Sequence, residues 1–164
     1  MDKLAIELVN LLREMLLTQQ RLLQIATARQ EAMRVFDLER LQVLAEQERL
    51  EMKRAEGVEV RRAALIKGLR IVLGKGVEPT VTEVSMRVGE PIKAQLLGLA
   101  GQLRAVVEQV DRASRVNAKV SETVVKGFAK VLKVVTGLAQ HAGLYMRNGR
   151  KAVMKGIHLL EITA

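Results

Sequence analysis

An all-α fold is what this sequence predicts: an elongated antiparallel helical hairpin packed on a long third helix, coiled-coil-like in its packing. Three observations predict it. Hydrophobic residues make up 49% of the 164 positions but aromatics only 2%, Phe36, Phe128 and Tyr145. Ring-poor composition suits narrow helix–helix seams built from Leu, Val, Ala, Ile and Met rather than a broad globular core. Only two prolines interrupt the chain, which leaves room for long helices. The apolar residues recur at steps of three and four over most of the length.

The first helix is expected over about residues 4–36. Leu4, Leu8, Leu11, Met15, Leu22 and Ile25 form one row, and Val9, Leu12, Leu16, Leu23 and Ala26 a second. Two rows make a wide stripe, suited to a helix with two neighbours. Asp37 reads as a break and as the cap of a second helix from Leu38, with Glu39 favourably near its positive end. Half of the residues between Glu39 and Arg62 are charged, the composition of a solvated helix face. Gly74-Lys75-Gly76 ends this helix after about Leu73.

Thr80-Val81-Thr82-Glu83 fits a capping box, opening a short helix over residues 81–87 with Glu83 reaching back to Thr80. Gly89-Glu90-Pro91 follows, with Pro91 at a plausible first helical position. The third helix carries a heptad seam: Ile92, Leu96, Leu99, Leu103, Val106, Val110, Ala113, Asn117, Val120, Val124, Gly127, Val131, Val134, Leu138, His141 and Tyr145. Unbroken, it would run roughly 80 Å, against about 50 Å for either earlier helix. Its late part lacks cover from the first two helices. That part is also a modest helix former, because Gly127, Gly137 and Gly143 each cost about 1 kcal/mol against alanine and its many valines are stiff at χ1. Abundant apolar surface with weak intrinsic helicity predicts an element that orders against a partner. The expected division is a helical bundle over residues 1–111 and a basic, partner-binding arm and tail over residues 112–164.

Charge is concentrated in the same region. Between Arg112 and Lys155 lie ten Lys/Arg and one acid, Glu122, so the net +9 of the whole chain belongs there and the remainder sums to zero. Arg112, Arg115, Lys119, Lys126, Lys130 and Lys133 line one face of the third helix. Such a stripe is either a solvated face or a site for an acidic partner. Clustered bases suit phosphates, but single-strand binding adds stacking rings, and only Phe128 and Tyr145 are at hand. This argues against nucleic acid. Asn117 lies mid-seam, where a polar side chain sets register or sits at the seam's edge.

No enzyme is expected, since no phosphate loop, nucleophile elbow or paired-carboxylate pocket is visible. His141 and His158 stand apart from any metal-ligand ladder, and the absence of cysteine removes disulfides and thiolate zinc sites. No cofactor and no small-molecule substrate are therefore expected. Met1-Asp2-Lys3-Leu4 lacks the basic start and apolar core of a signal peptide. No run approaches the roughly 20 apolar residues of a membrane span, so a cytoplasmic, non-inserted protein is expected.

Several stretches taken in order resemble the FlgN-type flagellar export chaperones. Leu11-Leu12, Gln20 and Leu22-Leu23 are similar to that family's first helix. Asp37-Leu38-Glu39-Arg40-Leu41, Glu46-Gln47-Glu48, Glu56 and Arg61 resemble the opening of its second. Thr80-Val81-Thr82-Glu83-Val84 resembles the segment before its third. Leu103, Asn117 and Tyr145-Met146-Arg147-Asn148-Gly149 look like its long helix with a terminal Tyr-x-x-x-Gly. The tail over residues 150–164 extends beyond that pattern.

The resemblance implies a cytoplasmic chaperone that masks the C-terminal amphipathic segments of hook–filament junction proteins and escorts them to the export gate. It implies that the C-terminal helical region binds the client and that Tyr145 docks at the gate. Tyr145 as a simple hydrophobic end to the seam is the alternative. The expected client surface is Val120, Val124, Phe128, Val131, Val135 and Leu138, with Met146 and Met154 adding an adaptable edge. Two other functions remain open from the residues: a homodimeric coiled-coil scaffold using the same seam, and a basic helical nucleic-acid binder.

Overall fold

A computed structural model describes the backbone of residues 1–74 and 76–142, and side-chain surroundings as far as residue 137. Its elements are four helices, α1 (Asp2–Arg34), α2 (Leu38–Leu73), α3 (Val81–Ser85) and α4 (Ile92–Ala142), with no strand among the described residues. The fold is all-α. Two compact units divide the chain, Met1–Val120 and Ser121–Ala164.

Within the first unit, α1 and α2 form an antiparallel hairpin. Its sense is written in cross-helix ion pairs: Glu14 with Arg61, Arg21 with Glu51, and Arg29 with Glu48. Positions rise along α1 as they fall along α2. Two apolar clusters accompany these pairs. One joins Leu8, Leu11 and Leu12 of α1 to Val58, Leu65, Leu69 and Leu73 of α2 and to Leu96 of α4. The other joins Ile25 and Ala32 to Leu44. Leu69 and Leu96 are wholly enclosed, and truncating either to alanine would cost about 2–5 kcal/mol.

The turn between α1 and α2 departs from expectation in one respect. Asp37 caps α2 as anticipated, its carboxylate accepting from the Arg40 N–H at 2.9 Å. But α1 stops at Arg34, and Phe36 takes the left-handed position with φ 55°. The Asp37 N–H donates to the Ala32 carbonyl at 3.0 Å and the Phe36 N–H to Met33 at 3.4 Å. These are the two bonds of a Schellman motif, with phenylalanine where glycine is usual.

The capping box at Thr80 is half made. Its hydroxyl accepts from the Glu83 N–H at 3.1 Å, while the Thr80 N–H donates to the Glu78 carbonyl at 2.8 Å rather than to Glu83. The helix that follows is shorter than anticipated, ending at Ser85 with turns at Met86 and Arg87. Its Val84 is wholly buried, and Val84 with Val88 joins the main cluster. Pro91 stands one residue ahead of α4. Its carbonyl accepts from the Gln95 N–H, and the Glu90 carboxylate accepts from the Ala94 N–H, both at 3.2 Å. A carboxylate there suits the positive end of a helix.

α4 enters alongside α1 and parallel to it. The Arg13 guanidinium donates to the Gln95 side chain at 3.2 Å, the Gln30 amide to the Ala113 carbonyl at 3.5 Å, and the Asn117 amide to the Ala26 carbonyl at 2.9 Å. So α1 lies between two neighbours, as its double row of apolar residues foretold.

Candidate partner-binding arm

The heptad seam of α4 divides by surroundings. In the first unit, Leu96 and Asn117 are buried, and Ile92, Leu99, Leu103, Val106, Val110, Ala113 and Val120 are half-buried. Ile92, Leu96, Leu99 and Leu103 pack in or on the main cluster and Asn117 bonds to α1, so the steps of three and four mark a real packing face. Asn117 is 5% exposed. Its Nδ2 is satisfied by Ala26, while its Oδ1 has no partner among the described residues.

In the second unit the pattern persists but the burial does not. Val124 is half-buried; Phe128 and Val131 are exposed. So are Val125, Leu132, Val134 and Val135, and exposure over these last six residues runs from 55% at Val135 to 66% at Val125 and Leu132. Six large apolar side chains this open within three turns form a contiguous patch, the kind that marks an interaction site rather than ordinary surface. Leu138 is helical in backbone, but its side chain falls outside the described residues, as do Tyr145, Met146, Met154, His158 and the tail. The side chain of His141 also falls outside them.

The basic stripe is less one-signed than its own residues suggest. Arg112 lies 3.9 Å from Glu108, Arg115 lies 2.7 Å from Asp111, and Lys126 pairs with Glu122. Each acid sits one turn before its base, the favourable order on a helix. All three pairs are well exposed and add little to stability. Lys119, Lys130 and Lys133 are exposed as well. At about 100° per residue, Lys126 and Lys133 fall on the side of the helix away from Phe128, Val131 and Val135, while Lys130 stands one turn before Val134, beside the patch.

Three exposed residues, Val125, Leu132 and Val134, belong to the patch but not to the surface expected from the sequence. Val134 lies on the heptad seam itself, whereas a strict heptad follows one stripe and passes over Val125 and Leu132. The signal was present as valine–valine and valine–leucine doublets, Val124-Val125, Val131-Leu132 and Val134-Val135, which widen an apolar face beyond one seam.

No group of three or more His, Asp or Glu is placed to hold a metal ion among the described residues. A shallow groove of about 410 Å³ between α1 and α2 is lined mainly by Met15, Thr18, Met52, Ala55 and Val58, with Glu56 and Glu59 at its edge. No described helix is long and apolar enough to cross a membrane.

Comparison with curated proteins and with solved structures finds no match to either. The family model described as FlgN protein matches residues 1–152, which takes in all four helices. A helical hairpin, a capped short helix and a long seamed α4 thus coincide with a match over nearly the whole chain, and the chain belongs to the FlgN family of flagellar export chaperones.

Proposed function

We propose that the chain is a cytoplasmic chaperone for hook–filament junction proteins. It binds their C-terminal amphipathic segments, prevents premature assembly and escorts them to the flagellar type III export gate. The observation that carries this reading is the exposure of Phe128, Val131 and Val135 on one face of α4. Family membership supports a flagellar export substrate as the client, and the resemblance to the family's long helix suggests the junction proteins.

In this reading residues 1–111 are the scaffold and residues 112–164 the arm and tail. Val120, Val124, Phe128, Val131, Val135 and Leu138 receive the client, whose apolar face lies along theirs in the helix-in-groove mode. Asn117 fixes the register of α4 where the scaffold ends. Tyr145 docks at the gate. Ordering of the arm and client on contact consumes part of the interaction free energy, which favours a complex that can be released.

The test is titration of the purified chain with the C-terminal segment of a junction protein. Binding at or below tens of micromolar is expected; a Kd of 10 μM is about −7 kcal/mol. Val131→Asp places a charge in the apolar face and should weaken binding strongly while leaving the hairpin folded. No complex at those concentrations, or undiminished binding by the variant, overturns the reading.

A further inference from the structure

We infer that Gly127 is the floor of a hole in the apolar face of α4, and that the hole receives one leucine-sized apolar side chain of the client. The inference rests on the client-binding reading above. Glycine inside a helix is a poor helix former. Its uses are a backbone conformation closed to other residues, or room for a close approach by a neighbour. Gly127 lies well inside α4 and has no positive φ, so the first use is absent. A methyl group placed there meets nothing within 4 Å, so no described residue of its own chain takes the room.

The hairpin shows what fills such a space. Gly68 of α2 is also helical and is half-buried. Leu4 of α1 reaches over it, with Cδ2 3.8 Å from where a methyl group would stand, and Leu4 packs on the main cluster. Leu65 lies one turn before Gly68, and Ile71 and Val72 one turn after. An apolar frame with a glycine floor thus takes a leucine from the facing helix. Gly127 has the same kind of frame, with Val124 one turn before and Val131 one turn after, neighbours on the helix surface. Gly57, Gly98, Gly101 and Gly137 are helical and also meet nothing within 4 Å. None of them has a large apolar residue on both sides.

In helix pairs of the coiled-coil kind, a side chain from one helix enters a hole formed by four residues of the other. Val124, Gly127, Phe128 and Val131 form such a set, and at about 100° per residue its centre falls within about 20° of Val131. Val124 is half-buried, while Phe128 and Val131 are 61% and 60% exposed. Three sides of the hole are apolar side chains and the fourth is bare backbone. Earlier places of the same seam carry Leu99, Leu103, Val106 and Val110, so the hole at Gly127 is deeper than one with those residues as its floor. A side chain of Leu4's length fills it. Lys130 stands at the rim, where its stem can lie on the apolar face with the ammonium in water.

Gly127→Ala and Gly127→Leu variants of the full chain are titrated with the C-terminal segment of a junction protein, beside Gly137→Ala. Gly137 is on the same helix but about 120° from Val131, off the hole. Either alanine strengthens the arm as a helix and lowers the ordering loss on binding, so without a hole both variants should bind as tightly as the wild type or more so. Expected instead is a split. Gly137→Ala binds at least as tightly as the wild type, Gly127→Ala binds about threefold or more weakly, and Gly127→Leu, which overpacks the hole, about 10- to 100-fold more weakly. Gly127 variants that bind as tightly as the wild type overturn this inference and leave the client-binding reading standing. Equal weakening by the two alanines, which would mean that the arm must bend, overturns it as well. No binding by the wild type removes the client-binding reading and this inference with it. Self-association of the client-free chain that Gly127→Leu abolishes would mean that a second copy fills the hole, and the inference fails.

Discussion

The side-chain amide of Asn117 in α4 donates to the backbone carbonyl of Ala26 in α1 at 2.9 Å, from a position 5% exposed. A polar residue in an apolar seam costs stability unless every polar atom is satisfied, and here Oδ1 has no partner among the described residues. The register role proposed for Asn117 predicts such a state, in which alignment is specified at a cost in stability. Shifting α4 by one step of its seam would strand the amide as well.

Two substitutions separate these effects. Asn117→Leu removes the orphaned oxygen and fills the seam, so thermal denaturation should show unchanged or raised stability. Its register should loosen, read as new cross-links between cysteines placed on α1 and α4. Asn117→Asp sets a carboxylate against the Ala26 carbonyl and should cost about 3 kcal/mol at neutral pH. Equal destabilisation by both variants would mean that the amide simply holds the helices together.

Phe36 offers a second measurement. It occupies the left-handed position of the α1 Schellman motif at φ 55° and is 60% exposed. A bulky side chain there is strained, at a cost of roughly 1 kcal/mol or more, and little burial would be lost on removing it. Phe36→Gly should therefore stabilise the chain by up to about 1 kcal/mol, after the added flexibility of unfolded glycine is discounted. Denaturant titration checks it; a loss of stability would show that the ring contributes packing.

The residues explain which features the sequence made legible. Asp37 and Thr80 cap their helices because a carboxylate or hydroxyl at that spacing meets a free N–H whatever the surroundings. The double apolar row of α1 announced two neighbours for the same local reason. Phe36 did not announce its left-handed backbone, since nothing in a phenylalanine marks it; tertiary closure of the hairpin imposes it. Glu51 was read as part of a solvated run, yet it is 7% exposed, paired with Arg21 and Arg54. Counting charges along α2 could not show it, because its seam position depends on where α1 lies. Likewise the heptad seam ran through Val131 and Val134 but passed over Val125 and Leu132. A seam assumes one partner, and these residues extend beyond it.

Acid should loosen the hairpin in a definite direction. The hydrogen bond from Arg61 holds the Glu14 carboxyl below its ordinary range, against a smaller opposing effect of desolvation. A group with a depressed folded pKa binds more protons when unfolded, so its contribution is present above the ordinary carboxylate range and lost as the pH falls through and below it. Circular dichroism against pH should be flat near neutrality and decline on the acid side. Glu14→Gln should blunt that decline slightly, since both partners are well exposed and such pairs are weak.

Gly127 tests the intrinsic weakness of the arm. A methyl group placed there meets nothing within 4 Å, so Gly127→Ala adds helix propensity without a clash in the free chain. The gain should be about 1 kcal/mol, seen as slower amide exchange over residues 121–137 with no change at Leu69 or Leu96. Exchange slowing equally in both places would mean that arm and hairpin open together.

The basic stripe can be set against the apolar face by charge reversal. Lys133 is exposed on the side of α4 away from Val131, Lys130 is exposed one turn before Val134 at the edge of the patch, and Lys126 is already paired with Glu122. If the client lies on the apolar arc, the ammonium group of Lys133 stays in water on the far side and that of Lys130 at the rim, where solvent at ordinary salt screens charge strongly. The double variant Lys130→Glu, Lys133→Glu should then bind a junction protein with a Kd changed by less than about threefold, under 1 kcal/mol. Wild-type affinity should likewise vary little with salt. An acidic or nucleic-acid partner held by the stripe predicts the opposite, a loss of orders of magnitude between low and moderate salt. Isothermal titration at two ionic strengths decides between them, because only the second arrangement places the lysines at the contact.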